Sequence, residues 1–377
     1  MNLGFLTNIK SPYKSLQMKE FSQIPGVTLN IYYTEPSNNK IKWEEKKIEL
    51  NEYNLKEIHF LKRCKIILNL GLKNIVKNND IILISGYDQL SMIFTSILCK
   101  LNKKPYVVFF DGISVSKIDS NENYFKKIIK KQVIKNSFAA MANGEVGKRY
   151  LNEKLGYNLG RIYNQFLSID SKSILSLKKN SFKYRTTLRE KYNIDKNEIV
   201  ILYSGRLISK KNILTLINAI SEIKEYNIRL FITGGGELEE DIIESCKNKD
   251  IKLTITGFIG NQKELFKHYF LADMLVLPSI DEPWGLVVNE AMTADLPVIV
   301  SKECGCSLDL IENGVNGFII DPLDAIDIKN KIEKVIINNK DNCMGKKSGE
   351  IIEKWNFQNS KLNLERIINR CINEKSF

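Results

Sequence analysis

Short apolar strand signals alternate with segments of helical period along this chain, and the alternation runs twice. In the first half the strand signals are "LGFLTN" (3–8), "VTLNIYY" (27–33), "DIILISG" (80–86), "PYVVFFDG" (105–112) and "SFAAMANG" (137–144). In the second half they are "EIVILYSG" (198–205), "IRLFITGGG" (228–236), "IKLTITGF" (251–258), "MLVLPS" (274–279) and "LPVIVS" (296–301). Helical periods fall between them at 61–78, 89–102, 123–136, 212–224, 237–247 and 262–272. Strands separated by helices need crossover connections, which make parallel sheets covered on both faces. The expected fold class is therefore α/β, with two doubly wound, Rossmann-like domains. A length of 377 residues exceeds one ordinary core and suits two. The polar stretch "SIDSKSILSLKKNSFK" (168–183) breaks the pattern and reads as the linker, and the last helix, about 357–374, has no strand after it.

Charge divides unevenly between these halves. The net charge is +12, yet residues 61–180 alone carry 21 Lys+Arg against 8 Asp+Glu. A basic half beside a near-neutral half implies different partners, with an anionic surface or acceptor for the first. The N-terminus lacks a basic leader followed by a long apolar region, so it reads as a first strand in a cytoplasmic protein. No apolar run approaches the ~20 residues that span a bilayer. Seven scattered cysteines suggest reduced thiols. Cys304 and Cys306 have no second pair nearby at metal-ligand spacing, so no metal is expected there.

The most informative stretch is "PSIDEPWGLVVNEAM" (278–292). "MLVLPS" reads as a buried strand, "IDEP" as the loop at its carboxyl end and "GLVVNEAMTA" as the next helix, where ligands of open α/β sheets bind. A helix start offers unpaired N–H groups to a phosphate, and Gly285 lets a ligand approach the backbone. Glu282 stays in the loop while Glu290 lies roughly 7–8 Å along the helix. One carboxylate would then flank each side of a bound diphosphate and accept hydrogen bonds from hydroxyl pairs, the layout of a nucleotide sugar. The same two acids would equally suit a solvated helix start. In "LYSGRLISKKNILTLINAI" (202–220), Arg206 and Lys211 sit on a loop after a strand, where two cations can converge on one anion; Lys210 and Lys211 would equally suit exposed surface lysines, and Arg206 a helix-packing residue. "TGGGELEE" has neither dinucleotide nor P-loop spacing and reads as turn chemistry. His59 and His268 fall in segments of helical period and read as packing residues. In "NYFKKIIKKQVIKN" (123–136), Phe125, Ile128, Ile129 and Val133 are expected to pack on the sheet. Lys126, Lys127, Lys130, Lys131 and Lys135 are expected to face an anionic bilayer.

Taken in order, "SGRLISKKN", "TGF", "LADMLVLPSIDEPWGLVVNEAMTADLPVIVS" and "IENGVNGFIIDP" resemble the C-terminal domain of glycosyltransferase family 4, retaining enzymes of GT-B fold. The resemblance covers residues 198–322 well. It is looser in the first half, through "NIKSPYK", "GYDQL", "FFDG" and "MANG". It implies two Rossmann-like domains facing a central cleft. Residues 1–170, rejoined by the helix at 357–377, would take the acceptor, and residues 171–356 the nucleotide-sugar donor. By the same resemblance Arg206 and Lys211 neutralise the donor diphosphate, Glu282 lies near the donor sugar and Glu290 binds the ribose. Trp284, Gly285, Leu286 and Val287 form the turn whose backbone meets sugar and phosphate, and Phe258 marks where backbone groups meet the base. Three departures stand out, the first being that the loop "TNIKSPYK" lacks the paired glycines often present there, which leaves its donor contacts open. Asn212 occupies a position where glycine is common, and Asp111 stands where many relatives have histidine, leaving Asp111 a catalytic candidate beside its reading as a turn aspartate before Gly112.

The resemblance implies a transferase that passes a sugar from a nucleoside-diphosphate sugar to an acceptor hydroxyl with retention, without a covalent nucleophile and without a cofactor. No Asp-x-Asp triplet occurs, which fits metal independence. A basic protein of this kind suits a lipid-linked glycan acceptor in O-antigen or capsule assembly, working peripherally at the inner face of the plasma membrane. A soluble acceptor and a non-catalytic nucleotide-sugar-binding protein are the alternatives. Nucleic acid is not an expected partner, because no recognition motif accompanies the charge.

Overall fold

A computed structural model of the chain describes residues 1–35, 49–61, 66–87, 89–118 and 123–375. The described chain packs as two units, the first formed by residues 1–112, 118–167 and 357–377 and the second by residues 113–117 and 168–356.

The first unit runs β1 (Asn2–Thr7), α1 (Pro12–Ser22), β2 (Thr28–Tyr33), β3 (Asn51–Asn54), β4 (Glu57–Leu61), β5 (Ile66–Asn69), α2 (Leu72–Asn78), β6 (Ile81–Ser85), α3 (Leu90–Leu101) and β7 (Tyr106–Phe110). After α4 (Val115–Ile118), which the second unit mostly claims, come α5 (Tyr124–Lys135), β8 (Ala139–Ala142), α6 (Gly144–Arg149) and β9 (Ile162–Asn164). Seven strands form one parallel sheet in the order β3-β2-β1-β6-β7-β8-β9, and β4 and β5 make a separate antiparallel pair. The central strands read as apolar runs because both faces are covered; all five residues of β7 are buried.

The second unit runs α7 (Ser171–Lys178), α8 (Ser181–Lys191), β10 (Ile199–Ser204), α9 (Ile213–Ser221), β11 (Ile228–Thr233), α10 (Glu239–Asn248), β12 (Lys252–Ile255) and α11 (Gln262–Tyr269). It continues with β13 (Met274–Leu277), α12 (Leu286–Thr293), β14 (Val298–Ser301), α13 (Ser307–Leu310), β15 (Gly317–Ile320), α14 (Ala325–Asn338) and α15 (Cys343–Ile352). Its six strands are parallel, in the order β12-β11-β10-β13-β14-β15. The chain then returns to the first unit as α16 (Phe357–Lys375), whose Leu364, Ile367, Ile368 and Cys371 share a core with Met18 and Phe21 of α1. Gln17 donates to the Ser360 hydroxyl at 3.0 Å, fixing the register of that contact.

Both doubly wound parallel sheets expected from the alternation are present. Three local expectations fail. The units do divide at the start of 168–183, but the stretch is no irregular linker: it forms α7 and the start of α8 within the second unit. Helix α8 has no fully buried apolar side chain; Tyr184 stacks on Phe270 and two arginines anchor the helix. Arg185 and Arg189 both grip the Asp273 carboxylate, at 2.6 and 2.7 Å, and donate to main-chain carbonyls at 271 and 272. Of the helix expected at 61–78, only α2 is helical; β4 and β5 precede it, residues 62–65 lie outside the described residues, and His59 stands on β4. Finally, α5 seats only Val133 and Ile134, while Phe125, Ile128 and Ile129 are exposed. At about 100° per residue Phe125, Ile129 and Val133 share one stripe, so the difference lies along the helix: α5 is seated only at its C-terminal end, where Val133 and Ile134 stand.

Arg189 is only 9% exposed, and Asp273 also accepts from the Val200 N–H that opens β10. Arg189→Met keeps the stem and removes the charge; it is expected to cost about 1.5–3 kcal/mol, read as a lower urea midpoint. An unchanged midpoint would mean that α8 is held by something else.

Candidate active site

Within the second unit the connections from β10 lead through β11 to β12 at one edge, and those from β13 lead through β14 to β15 at the other. Strands β10 and β13 are neighbours whose crossovers diverge, so the loops beyond their carboxyl ends flank a topological switch point. Those loops are the two that carry Arg206 with Lys211 and Asp281 with Glu282.

Glycines and one asparagine shape the first loop. Gly205 has φ +145°, and the Tyr203 hydroxyl donates to the Arg206 carbonyl at 2.9 Å. The Leu207 N–H donates to the Gly235 carbonyl at 3.0 Å, and Leu238 N–H to the Leu207 carbonyl at 3.1 Å. A Cβ on Gly234 would fall 2.0 Å from the Gly205 carbonyl oxygen, and one on Gly236 would fall 2.5 Å from that of Leu207. The three glycines after β11 are thus a close-packed buttress for the Arg206 loop, as turn chemistry implied. Asn212 adopts φ +55° at the start of α9, a conformation asparagine tolerates better than most side chains. Its amide donates to the Pro278 and Pro322 carbonyls at 3.3 and 2.5 Å, so the residue standing in for glycine also ties the two loops together.

Two ion pairs span the same loops side by side. The Lys211 ammonium pairs with the Glu282 carboxylate, both about 15% exposed, with their side chains at 16% and 15%. Lys210 pairs with Asp281 at 2.6 Å, and Asp281 also takes Lys117 at 2.8 Å and the Ser114 hydroxyl at 2.7 Å. Burial works to raise the Asp281 pKa, but the bonds from Lys117, Lys210 and Ser114 outweigh it and hold the carboxyl well below its usual range. Arg206 is exposed and makes no ion pair among the described residues.

The second loop ends at Gly285, whose φ of +98° turns the chain into α12. Leu286 and Val287 open that helix, where N–H groups lack intrahelical partners and the dipole is positive. The loop backbone is clamped from behind: Gly305 N–H donates to the Glu282 carbonyl at 2.9 Å, and Cys306 N–H to the Trp284 carbonyl at 3.3 Å. A Cβ on Gly305 would lie 2.0 Å from the Pro283 carbonyl oxygen. Cys304 and Cys306 flank that contact as buried thiols whose pKa burial pushes well up. Trp284 turns inward, stacked on Trp355 at 4.8 Å with its indole N–H donating to Asn289, and so offers the site only its backbone. Glu290 is half-buried and accepts from the hydroxyl of fully buried Tyr269. Burial pushes the Glu290 carboxyl up to about 7, against the smaller opposing pull of the Tyr269 hydrogen bond. Phe258 is exposed just beyond Gly257, whose carbonyl accepts from the Gly234 N–H at 3.0 Å.

Asp111 belongs to the first unit. There it pairs with Lys14 at 3.1 Å and accepts from the Gln165 amide at 2.8 Å, while Lys14 also donates to the Ser85 hydroxyl at 2.8 Å. Burial would raise the Asp111 pKa, but the Lys14 ammonium and Gln165 more than offset it and leave it lowered. Asp111 is therefore a paired carboxylate at the carboxyl edge of the sheet, in the turn before Gly112. Sequence reasoning missed Lys14, Tyr269 and Asp281. Lys14 lies inside the quoted "NIKSPYK", in the first turn of α1 after β1, a position parallel to Lys211 in the second unit. His268 is buried, its ring nitrogens engaged by the Tyr192 hydroxyl and the Glu264 carbonyl, a packing role.

Residues 184–351 match the family model for glycosyl transferases group 1. The chain is 34% identical over 157 residues to a capsular polysaccharide biosynthesis glycosyltransferase of Staphylococcus aureus, covering 40% of each protein. It is 25% identical over 186 residues to a lipopolysaccharide 1,2-N-acetylglucosaminetransferase of Salmonella typhimurium, covering 46% of this chain and 48% of that one. The matches thus span less than half the length of these curated relatives. The crystal structure of Anabaena HepE in complex with UDP superposes with a TM-score of 0.76 at 15% identity, over 98% of this chain and 100% of that one. The second unit carries a group 1 glycosyl transferase domain, and the whole chain has the two-sheet GT-B fold.

The Glu290 shift has a pH signature. A carboxyl raised from about 4.3 unfolded to about 7 folded contributes stability that is full below the unfolded value and is lost as pH rises through the folded one. Between pH 5 and 8, wild type should lose stability relative to Glu290→Gln, measured as the gap in urea midpoints. A gap independent of pH would contradict the burial argument.

Proposed function

We propose that the protein is a retaining, metal-independent glycosyltransferase, moving a sugar from a nucleoside-diphosphate sugar to a hydroxyl of a lipid-linked glycan in surface polysaccharide assembly. One observation carries this reading: Lys211 meets Glu282 between the two loops of the second unit's switch point, and the second of these loops leads into the start of α12, the helix that carries Glu290. Glu282 neutralises Lys211. A diphosphate brings more negative charge than one carboxylate and would compete for the ammonium, with Arg206 and the first N–H groups of α12 as further donors. Glu282, released, would accept from the hydroxyls of the donor sugar. Glu290 would accept from the ribose diol, and backbone groups at Phe258 would meet the base. Charge building on the departing phosphate is then met by preorganised donors, which is the larger part of such catalysis. Positive charge already stands where a divalent ion would otherwise be needed.

The first unit would take the acceptor, with Asp111 and its partner Lys14 at the carboxyl edge of the sheet. The Staphylococcus and Salmonella relatives, named for capsular polysaccharide and lipopolysaccharide, support a surface-glycan acceptor, and the UDP bound by the Anabaena neighbour supports a nucleotide donor. No helix among the described residues is long and apolar enough to cross a membrane, so contact with lipid would be peripheral, at the inner face of the plasma membrane. The lysines of α5 supply attraction to anionic lipid worth roughly 1 kcal/mol each.

Turnover of a panel of nucleotide sugars should survive EDTA, and Lys211→Ala should lower kcat/KM by about two to three orders of magnitude with the circular dichroism unchanged. Near-normal kinetics in that variant would overturn the site; activity abolished by EDTA and restored by magnesium would overturn metal independence. Changing Lys126, Lys127, Lys130 and Lys131 together to Gln should weaken binding to anionic vesicles and leave donor affinity alone. Equal vesicle binding would remove α5 from the membrane reading.

A further inference from the structure

Helix α3 is apolar on both sides. Ser91, Met92, Thr95, Ser96 and Cys99 are buried, and Leu90, Phe94, Ile97 and Leu101 are 44–74% exposed. At about 100° per residue those four fall within about 60° of one another, directly opposite the buried face. Helix α5, packed beside α3, also leaves apolar side chains outside: Tyr124, Phe125, Ile128 and Ile129 are 41–75% exposed, and only Val133 and Ile134 at its C-terminal end are buried. An outer helix layer of a parallel sheet normally turns charge outward, and two adjacent helices that both turn aromatic and branched side chains outward mark an interaction surface.

We infer that α3 and α5 form a single face that inserts its apolar side chains into one leaflet of an anionic bilayer. The inference rests on the membrane reading above and adds insertion, through a second helix, to adsorption by charge. Charge selects lipid over the other occupants. No acid occurs from Gln89 to Phe110 or from Asn123 to Gly144. Lys100, Lys103, Lys126, Lys127, Lys131 and Lys135 stand exposed in these segments, and none of them makes an ion pair among the described residues. A second copy docked on this face would bring lysine against lysine. Anionic headgroups would neutralise the rim while the eight apolar side chains reach the acyl boundary, roughly 5–10 Å deep, as for interfacial helices.

The test uses the full chain with vesicles of phosphatidylcholine alone or mixed with phosphatidylglycerol. Phe94→Trp, read as the difference from wild type, should shift to the blue on anionic vesicles and be quenched by lipids brominated on the acyl chain. Phe94→Ser with Ile97→Ser, all lysines kept, should weaken vesicle binding at least tenfold. If wild type binds anionic vesicles while the tryptophan stays unquenched and the serine pair binds equally well, insertion is overturned and adsorption by charge stands. If wild type ignores anionic vesicles at low salt and the serine pair dissolves a dimer seen by sedimentation, a second copy covers the face and both readings fall.

Discussion

An ammonium and a carboxylate facing each other from the ends of two neighbouring parallel strands organise the second unit's carboxyl edge. Lys211 and Glu282 meet because β10 and β13 are adjacent while their crossovers diverge, leaving a gap that their two loops must close. The closure rests on backbone conformations that few residues adopt, at Gly205, Asn212 and Gly285, and on the Gly234–Gly236 buttress behind the first loop. Next to it, Lys210 and Asp281 make a second tie that also collects Ser114 and Lys117. A partly buried pair of this kind adds little to stability, because desolvating both charges nearly offsets their attraction. It is better suited to exchange: either partner can be released when a stronger counter-charge arrives.

The first unit repeats part of this logic. Lys14, in the first turn after β1, reaches Asp111 beyond β7, with Ser85 and Gln165 satisfying what remains. Both units therefore place a lysine just after a switch-point strand and neutralise it with a carboxylate from another strand's end. The units differ in their outer layers. The second unit pins helix α8 with arginines on Asp273, whereas α3 and α5 of the first turn apolar residues and lysines outward.

What was legible in the sequence follows from this physics. Strands buried on both faces, such as "YVVFF" and "VILYS", announce themselves as apolar runs, so both sheets could be read. The two edge strands of the first sheet could not: "NEYN" and "IYN" are short and polar, as exposed edges tend to be, whereas the edge strand β12 was evident in "IKLTITGF". Helix α8 looked like a linker because ion pairs, invisible to periodicity, hold it in place. Places beside a strand end could be read by position: Arg206 and Lys211 stand beyond β10, Glu282 beyond β13 and Glu290 on α12, as the strand and helix signals implied. Tyr269 and Asp281 could not, because their significance lies in partners 21 and 71 residues away in sequence. Trp284 illustrates the limit of motif reading: its place in the turn was evident, and that its ring faces Trp355 was not. The outward stripe of α3 was hidden in an apolar segment that composition alone assigns to the core.

The central claim is that the Lys211–Glu282 pair is a closed anion site that a diphosphate opens. Diffraction from crystals soaked with uridine diphosphate tests it directly. The account predicts density for the diphosphate between the Lys211 ammonium and the first turn of α12, with Arg206 turned toward it and Glu282 no longer bonded to Lys211. Diphosphate bound elsewhere, or bound there with the ion pair intact, would contradict it.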